Sequence, residues 1–137
     1  VRVIVCGGRL YGVQYTSDGF EREGWGLERH ILVDVLSNLN ISELAHGAAS
    51  GADTLAGQWA GEHGVLNVAY PADWDNPEYR RKLPNGRLIR FAGNVRNQQM
   101  LDEFKPDLVV AFPGGFGTAH MVGIARKAGV QVQEVNE

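Results

Sequence analysis

Three short segments of the chain are built largely from small residues: "CGGR" at 6–9, "HGAASGAD" at 46–53 and "PGGFGT" at 113–118. Each follows an apolar run, and the second and third lead directly into a helix-like pattern. Glycine lets backbone N–H groups approach an anion with no Cβ in the way, and a helix start adds unpaired donors and the positive end of its dipole. That dipole contributes about 0.3–1 kcal/mol when exposed and up to about 2 kcal/mol when partly buried. A phosphate is the ligand this pattern suits. The candidate contacts are Gly7, Gly8, Ser50, Gly51, Pro113, Gly114, Gly115, Gly117 and Thr118. Arg9 follows Gly7-Gly8 directly, and Arg96 lies near a further helix start with no acid from Tyr79 to Leu101. The alternative is purely structural: Gly51 and Gly117 permit turns, while Ser50 and Thr118 cap helices.

Other side chains suit proton transfer or stacking. Asp53 completes an S-x-x-D helix-start signal with Ser50, so it caps that helix, contacts a ribose hydroxyl or serves as a base. His120 is a candidate for proton transfer or base contact. Trp74, in "PADWD", follows an apolar run and offers an indole for stacking on a base. Trp59 shares a helix face with Leu55 and reads as core. Cys6 ends an apolar strand and reads as inert packing. The four histidines show no metal-ligand spacing with Cys6 or one another, so no metal is expected. There is no G-K-[ST], and His120 stands where a dinucleotide fold wants its third glycine, so no nucleotide cofactor is expected either.

The elements that must hold these residues alternate. "VRVIVC" reads as a buried strand, followed by a turn-rich stretch at 10–23 that reads as a functional or mobile loop. A helix with Leu27, Ile31, Val35, Leu36 and Leu39 on its apolar face comes next. "ISELAHG" and "VLNVAYP" read as strands around a helix that begins at Ser50 and ends at Gly64. An irregular stretch at 71–91 is broken by Pro71, Pro77, Pro84 and Asn85-Gly86. A helix from about Gly93 to Phe104, the strand "DLVVAF", a helix from Thr118 to Ala128 and an edge strand "VQVQEV" complete the order. Strands alternating with helices predict one α/β domain over 1–137, a Rossmann-like, mostly parallel sheet of about five strands with helices on both faces. All strand-to-helix loops then leave one edge, where ligands of open α/β sheets bind.

Composition narrows the partners. The chain has 137 residues, 44% hydrophobic and 21% charged, with a net charge of −3 and one cysteine. Such values predict a globular domain that buries roughly two-thirds of its unfolded surface. No apolar run approaches the roughly 20 residues of a membrane span, and no signal-peptide pattern is present. A reducing cytoplasm is the expected compartment. Six of the 13 basic residues lie between Arg80 and Arg96, a positive segment on an acidic chain that otherwise argues against indiscriminate nucleic-acid binding.

The segments "VIVCGGR", "HGAASGADTLAGQWA", "YPADW", "AGNVRNQQML" and "DLVVAFPGGFGTAHMVGIARKAG" together resemble the YspA-type, YpsA-related branch of the SLOG superfamily. Members are frequent in phages and bacteria, so the resemblance implies bacterial or host cytoplasm. It also implies a Rossmann-like fold that binds or senses a nucleotide-derived phosphorylated ligand, with Asn94 and Arg96 among the contacts, and a homodimer. The related Lonely Guy phosphoribohydrolases carry P-G-G-x-G-T-x-x-E and an arginine from the preceding helix. Pro113, Gly114, Gly115, Gly117, Thr118 and Arg96 match, but His120 and Met121 stand where those enzymes carry acids. An N-glycosidase would then have to use Asp53 or His120 as its catalytic group. A second relative, the DNA-processing protein DprA, shares an R-N segment like Arg96-Asn97 and implies single-stranded DNA as an alternative partner.

Overall fold

The computed structural model describes residues 1–136. β1 (Arg2–Cys6) is flanked on both sides, by β2 (Glu43–His46) and by β6 (Leu108–Ala111), and all three are parallel. β3 (Leu66–Ala69) extends the sheet beyond β2, and β7 (Gln131–Glu134) beyond β6, giving the order β3-β2-β1-β6-β7. The expected five-stranded parallel sheet is therefore present, with the alternating "VQVQEV" segment at one edge. The central strands explain their own sequences. Val3, Ile4, Val5, Val109 and Val110 are wholly buried, as strands covered on both faces require.

Helices cover the two faces in pairs. α1 (Trp25–Ser37) and α2 (Ala52–Glu62) pack Leu32, Leu36, Ala56 and Trp59 against Val3, Val5, Leu44 and Val110. α3 (Ala92–Phe104) and α4 (Phe116–Lys127) pack Met100, Phe104, Met121 and Ala125 against Ile4, Ala45 and Val109. Each fully buried large aliphatic side chain contributes roughly 1.5–3 kcal/mol. On α1 the buried stripe runs through Leu32 and Leu36, with Val35 and Leu39 at its margin, whereas Leu27 is exposed. The first turn of α1 instead serves the 10–23 segment. Glu28 takes the Gly12 amide and pairs with Arg22, and Arg29 donates to the Gly12 carbonyl.

The change of face sets the position of the site. α1 and α2 connect β1, β2 and β3 outward to one edge, and the chain then crosses back so that α3 leads into β6, beside β1. The loops after β1 and β6 diverge toward opposite faces, which opens a crevice at the carboxyl ends of these strands. The crossing segment contains a feature the sequence reading missed. β4 (Arg80–Lys82) and β5 (Leu88–Arg90) form an antiparallel hairpin outside the main sheet, turning at Asn85-Gly86 with Gly86 at φ 86°. Among the described residues no helix is long and apolar enough to cross a membrane, and no group of His, Cys, Asp and Glu is placed to hold a metal ion.

Glycine packing joins the three small-residue loops. The Gly8 amide donates to Pro113 O at 2.9 Å, and Gly8 O accepts from the Ala52 amide at 3.2 Å. A Cβ on Gly8 would lie 2.9 Å from Pro113 O, and one on Gly7 would lie 2.6 Å from Ala52 Cβ. Gly51, at φ 77°, leaves its Cβ position against the Gly8 and Arg9 backbone. Gly51→Ala therefore combines a disallowed backbone with overpacking, for a loss of about 2–5 kcal/mol. Gly19→Ala, at φ 86° but with open space around it, is the control and loses about 1–2 kcal/mol. Urea unfolding of both variants measures the difference.

Candidate functional site

A cleft of about 440 Å³ opens at the switch between β1 and β6. Its floor is Val5, Cys6 and Gly7 from the end of β1. Gly115, Phe116, Gly117 and Thr118 line it from the start of α4, and Gly93, Asn94, Arg96, Asn97 and Met100 from α3. Gly47 and Ala49 come from the loop after β2, Asp53 from the first turn of α2, and Trp74 and Arg90 from the crossing segment. The sequence-derived candidates Gly7, Arg9, Asp53, Trp74, Asn94, Arg96, Gly115, Gly117 and Thr118 thus share one cavity. Gly8, Gly51 and Gly114 lie in the junction between loops, packed against protein backbone and, for Gly114, the Thr118 hydroxyl. Ser50 faces an adjoining space, and Pro113 a groove on the other side of the 113–118 loop.

The glycines divide by role. No atom lies within 4 Å of a Cβ placed on Gly115 or Gly117. Gly115 is the N-cap of α4, which begins at Phe116, so Thr118 is inside the helix and does not cap it. The amides of Phe116, Gly117 and Thr118 have no acceptor among the described residues, as expected of a first turn without a side-chain cap. The start of α2 is different. Its N-cap is Gly51, Ser50 Oγ donates to Arg9 O, and the Ala52 amide is taken by Gly8 O. The Ser50 cap expected from S-x-x-D is therefore absent, because the close approach of the β1 loop already satisfies this helix end. The start of α3 also lines the cleft, through Gly93 and Asn94.

His46, Asp53 and Asn97, the buried polar residues among those described, all brace this cleft. Asp53 is 6% exposed, and its Oδ2 accepts from the Gly47 and Ala49 amides at 3.1 and 3.2 Å. Burial raises its pKa above the ordinary carboxylate value, against the opposing pull of those amides, His46 and Arg96. Arg96 Nη1 donates to the carbonyls of Gly47 and Tyr70, and its Nε donates to Asn97 Oδ1 at 3.0 Å. Asn97 Nδ2 donates in turn to Gly117 O at 3.1 Å and faces His120 Nδ1 at 3.2 Å. Asn97 therefore fixes the Arg96 guanidinium against the start of α4. The sequence offered it only through the Arg96-Asn97 pair, not as a site residue.

His120 does not line the cleft, and its imidazole is turned to Asn97. Burial lowers its pKa. Met121, in the position where Lonely Guy enzymes carry an acid, is a wholly buried core residue. Trp74 is 37% exposed, with the Arg9 guanidinium 5.4 Å from its ring centroid. Cys6 reaches the cleft floor, but burial, with Asp53 and Glu134 adding, pushes its thiol up to about 12, so it is unreactive near neutral pH. Arg90, also missed, is the residue through which the basic 80–96 segment enters the cavity.

A family model described as the YspA, cpYpsA-related SLOG family matches residues 1–76, which contain the β1 and β2 loops, Asp53 and Trp74. The chain belongs to this SLOG family. No curated protein matches it in sequence. Among solved structures, UDP-GlcNAc 2-epimerase from Neisseria meningitidis, bound to UDP-GlcNAc, is similar in fold, with a TM-score of 0.53 and 15% identity. The match covers 98% of the SLOG chain and 32% of the epimerase. The corresponding enzyme from Methanocaldococcus jannaschii gives a TM-score of 0.45 at 16% identity, covering 98% and 30%. The chain spans about a third of the length of these proteins.

His46 provides a pH test of the cleft wall. Its Nδ1 accepts from the Ala48 amide at 3.0 Å, which a protonated ring cannot do. Burial lowers its pKa, with Arg96 adding and with Asp53 and Asn67 opposing. A folded-state value below the unfolded one of about 6.5 stabilises above that pH and is lost as pH falls through the folded value. Wild-type urea midpoints should therefore drop between pH 7.5 and 5.5. His46→Asn, which keeps an acceptor near Nδ1 without the titration, should flatten that dependence.

Proposed function

We propose that the cleft binds a nucleotide-derived phosphorylated ligand and acts as a binding or sensing site. The observation that carries this reading is the open first turn of α4, where Gly115 and Gly117 leave unpaired amides uncovered beside Arg9 and Arg96. A phosphate there meets N–H donors, the helix dipole and two guanidinium groups in a partly dry pocket. Asp53 sits on the other side of the cleft, at the first turn of α2, where its charge directs an anion toward α4. Trp74 offers an indole face for the base, and Asn94 offers an amide. Membership of the SLOG family agrees with a nucleotide-related ligand.

Hydrolysis by the Lonely Guy route lacks its acid, since Met121 is core and His120 is held outside the cleft. Asp53 is the one carboxylate lining the cavity among the described residues, so any N-glycosidase activity falls to it. Single-stranded DNA is the second reading, because the β4–β5 hairpin exposes Arg81, Lys82 and Arg87 beside the mouth.

Thermal unfolding in the presence of nucleosides, their phosphates and a short oligonucleotide separates these readings. A nucleoside phosphate at 100 times its Kd adds about 2.7 kcal/mol, a shift of roughly 8–14 °C, while the free nucleoside shifts the Tm far less. Gly117→Ala, with open space for the methyl group, should raise the stability of the free protein by about 0.5–1 kcal/mol and yet shrink the phosphate-dependent shift. A salt-sensitive shift with the oligonucleotide alone would replace the small-ligand reading.

A further inference from the structure

The cleft continues past Trp74. A second chamber of about 250 Å³ lies between the 47–50 loop and Pro71–Ala72. Arg9, Gly47, Ala49, Trp74 and Arg96 line both spaces, so the two guanidinium groups and the indole stand at their junction. The chambers differ in chemistry. The main cleft adds Arg90 and Asp53 to the shared arginines, whereas the second adds only Ala48, Ser50, Pro71 and Ala72, none of them ionisable.

Its hydrogen-bonding character is also specific. The amides of Gly47 and Ala49 are donated to Asp53, and that of Ala48 to His46. The three amides of Gly47, Ala48 and Ala49 are therefore committed within the protein. Ser50 Oγ gives its proton to Arg9 O at 3.0 Å, which leaves the hydroxyl oxygen as an acceptor toward the chamber. An uncharged group bearing hydroxyl donors fits these partners. The space falls below the roughly 300 Å³ at which drug-sized pockets begin, which limits the occupant to about one ring.

We propose that the ligand has two parts: a nucleoside phosphate in the main cleft, joined through a second phosphate at the Arg9–Arg96 junction to a neutral sugar ring in the second chamber. This defines a nucleoside diphosphate esterified to a sugar as the ligand class, and it rests on the reading of the main cleft as a nucleotide site. Trp74 and Arg9 then form the partition the diphosphate passes.

Ala72 lines the second chamber alone and is half-buried, so Ala72→Phe fills that space without entering the main cleft. Calorimetric titration of wild type and variant with ADP, UDP and GDP, and with ADP-glucose, UDP-glucose and GDP-mannose, is the test. For at least one base the sugar-bearing compound should bind wild type about tenfold more tightly than its parent diphosphate. Ala72→Phe should erase that advantage and leave the diphosphate affinity unchanged. Diphosphates that bind wild type with no gain from the sugar, or an equal loss of both ligands in the variant, would overturn the two-part ligand while leaving the main-cleft reading in place. Binding of none of these compounds would overturn both.

Discussion

The backbone of Gly8 holds the site together. Its N–H reaches Pro113 O after β6, and its C=O takes the first amide of α2 after β2. One residue thus ties three loops that lie far apart in sequence. It does so only because Gly7, Gly8, Gly51 and Gly114 lack side chains where those backbones meet. Without that contact the edge of the sheet would carry three independent loops. With it, the loops form one surface, and the cleft takes its shape from that junction.

On this junction stands a buried polar chain running from one half of the fold to the other. Asp53 secures the 47–49 loop, Arg96 secures the Gly47 carbonyl from α3, and Asn97 carries the connection to Gly117 on α4. Each member is costly to bury alone, and each is satisfied by the next. A pocket of mixed charge therefore has walls whose side chains are held in place. Arg96 illustrates the result, because its Nε and Nη1 belong to the protein and its Nη2 has no partner among the described residues.

The fold was largely legible because its signals are local and repeated. Short apolar runs marked β1, β2, β3 and β6, and the alternation of "VQVQEV" marked β7 at the edge. The β4–β5 hairpin was not legible, since Arg80, Arg81 and Lys82 lack apolar alternation and Pro84 reads as a breaker, although it falls in the turn. Asn85-Gly86 was the available signal. The helix starts were misplaced for a related reason. Ser50 and Thr118 look like caps, but tertiary contacts had already supplied Ser50 with another acceptor and Ala52 with its own. For the cleft, sequence identified which residues are small or charged. It could not separate glycines that permit protein packing from those that leave a surface open, because that distinction depends on the facing loop.

The crossing segment between β3 and α3 runs past the mouth of the cleft and supplies Trp74 and Arg90 to its wall. It pairs with no strand of the main sheet, and its hairpin is a self-contained ladder. The hairpin contributes no residue to either buried core, so the register of the main sheet does not depend on it. The fold therefore builds the cleft in two parts. The glycine junction and the Asp53–Arg96–Asn97 chain belong to the sheet edge, while the crossing segment adds a wall assembled outside it.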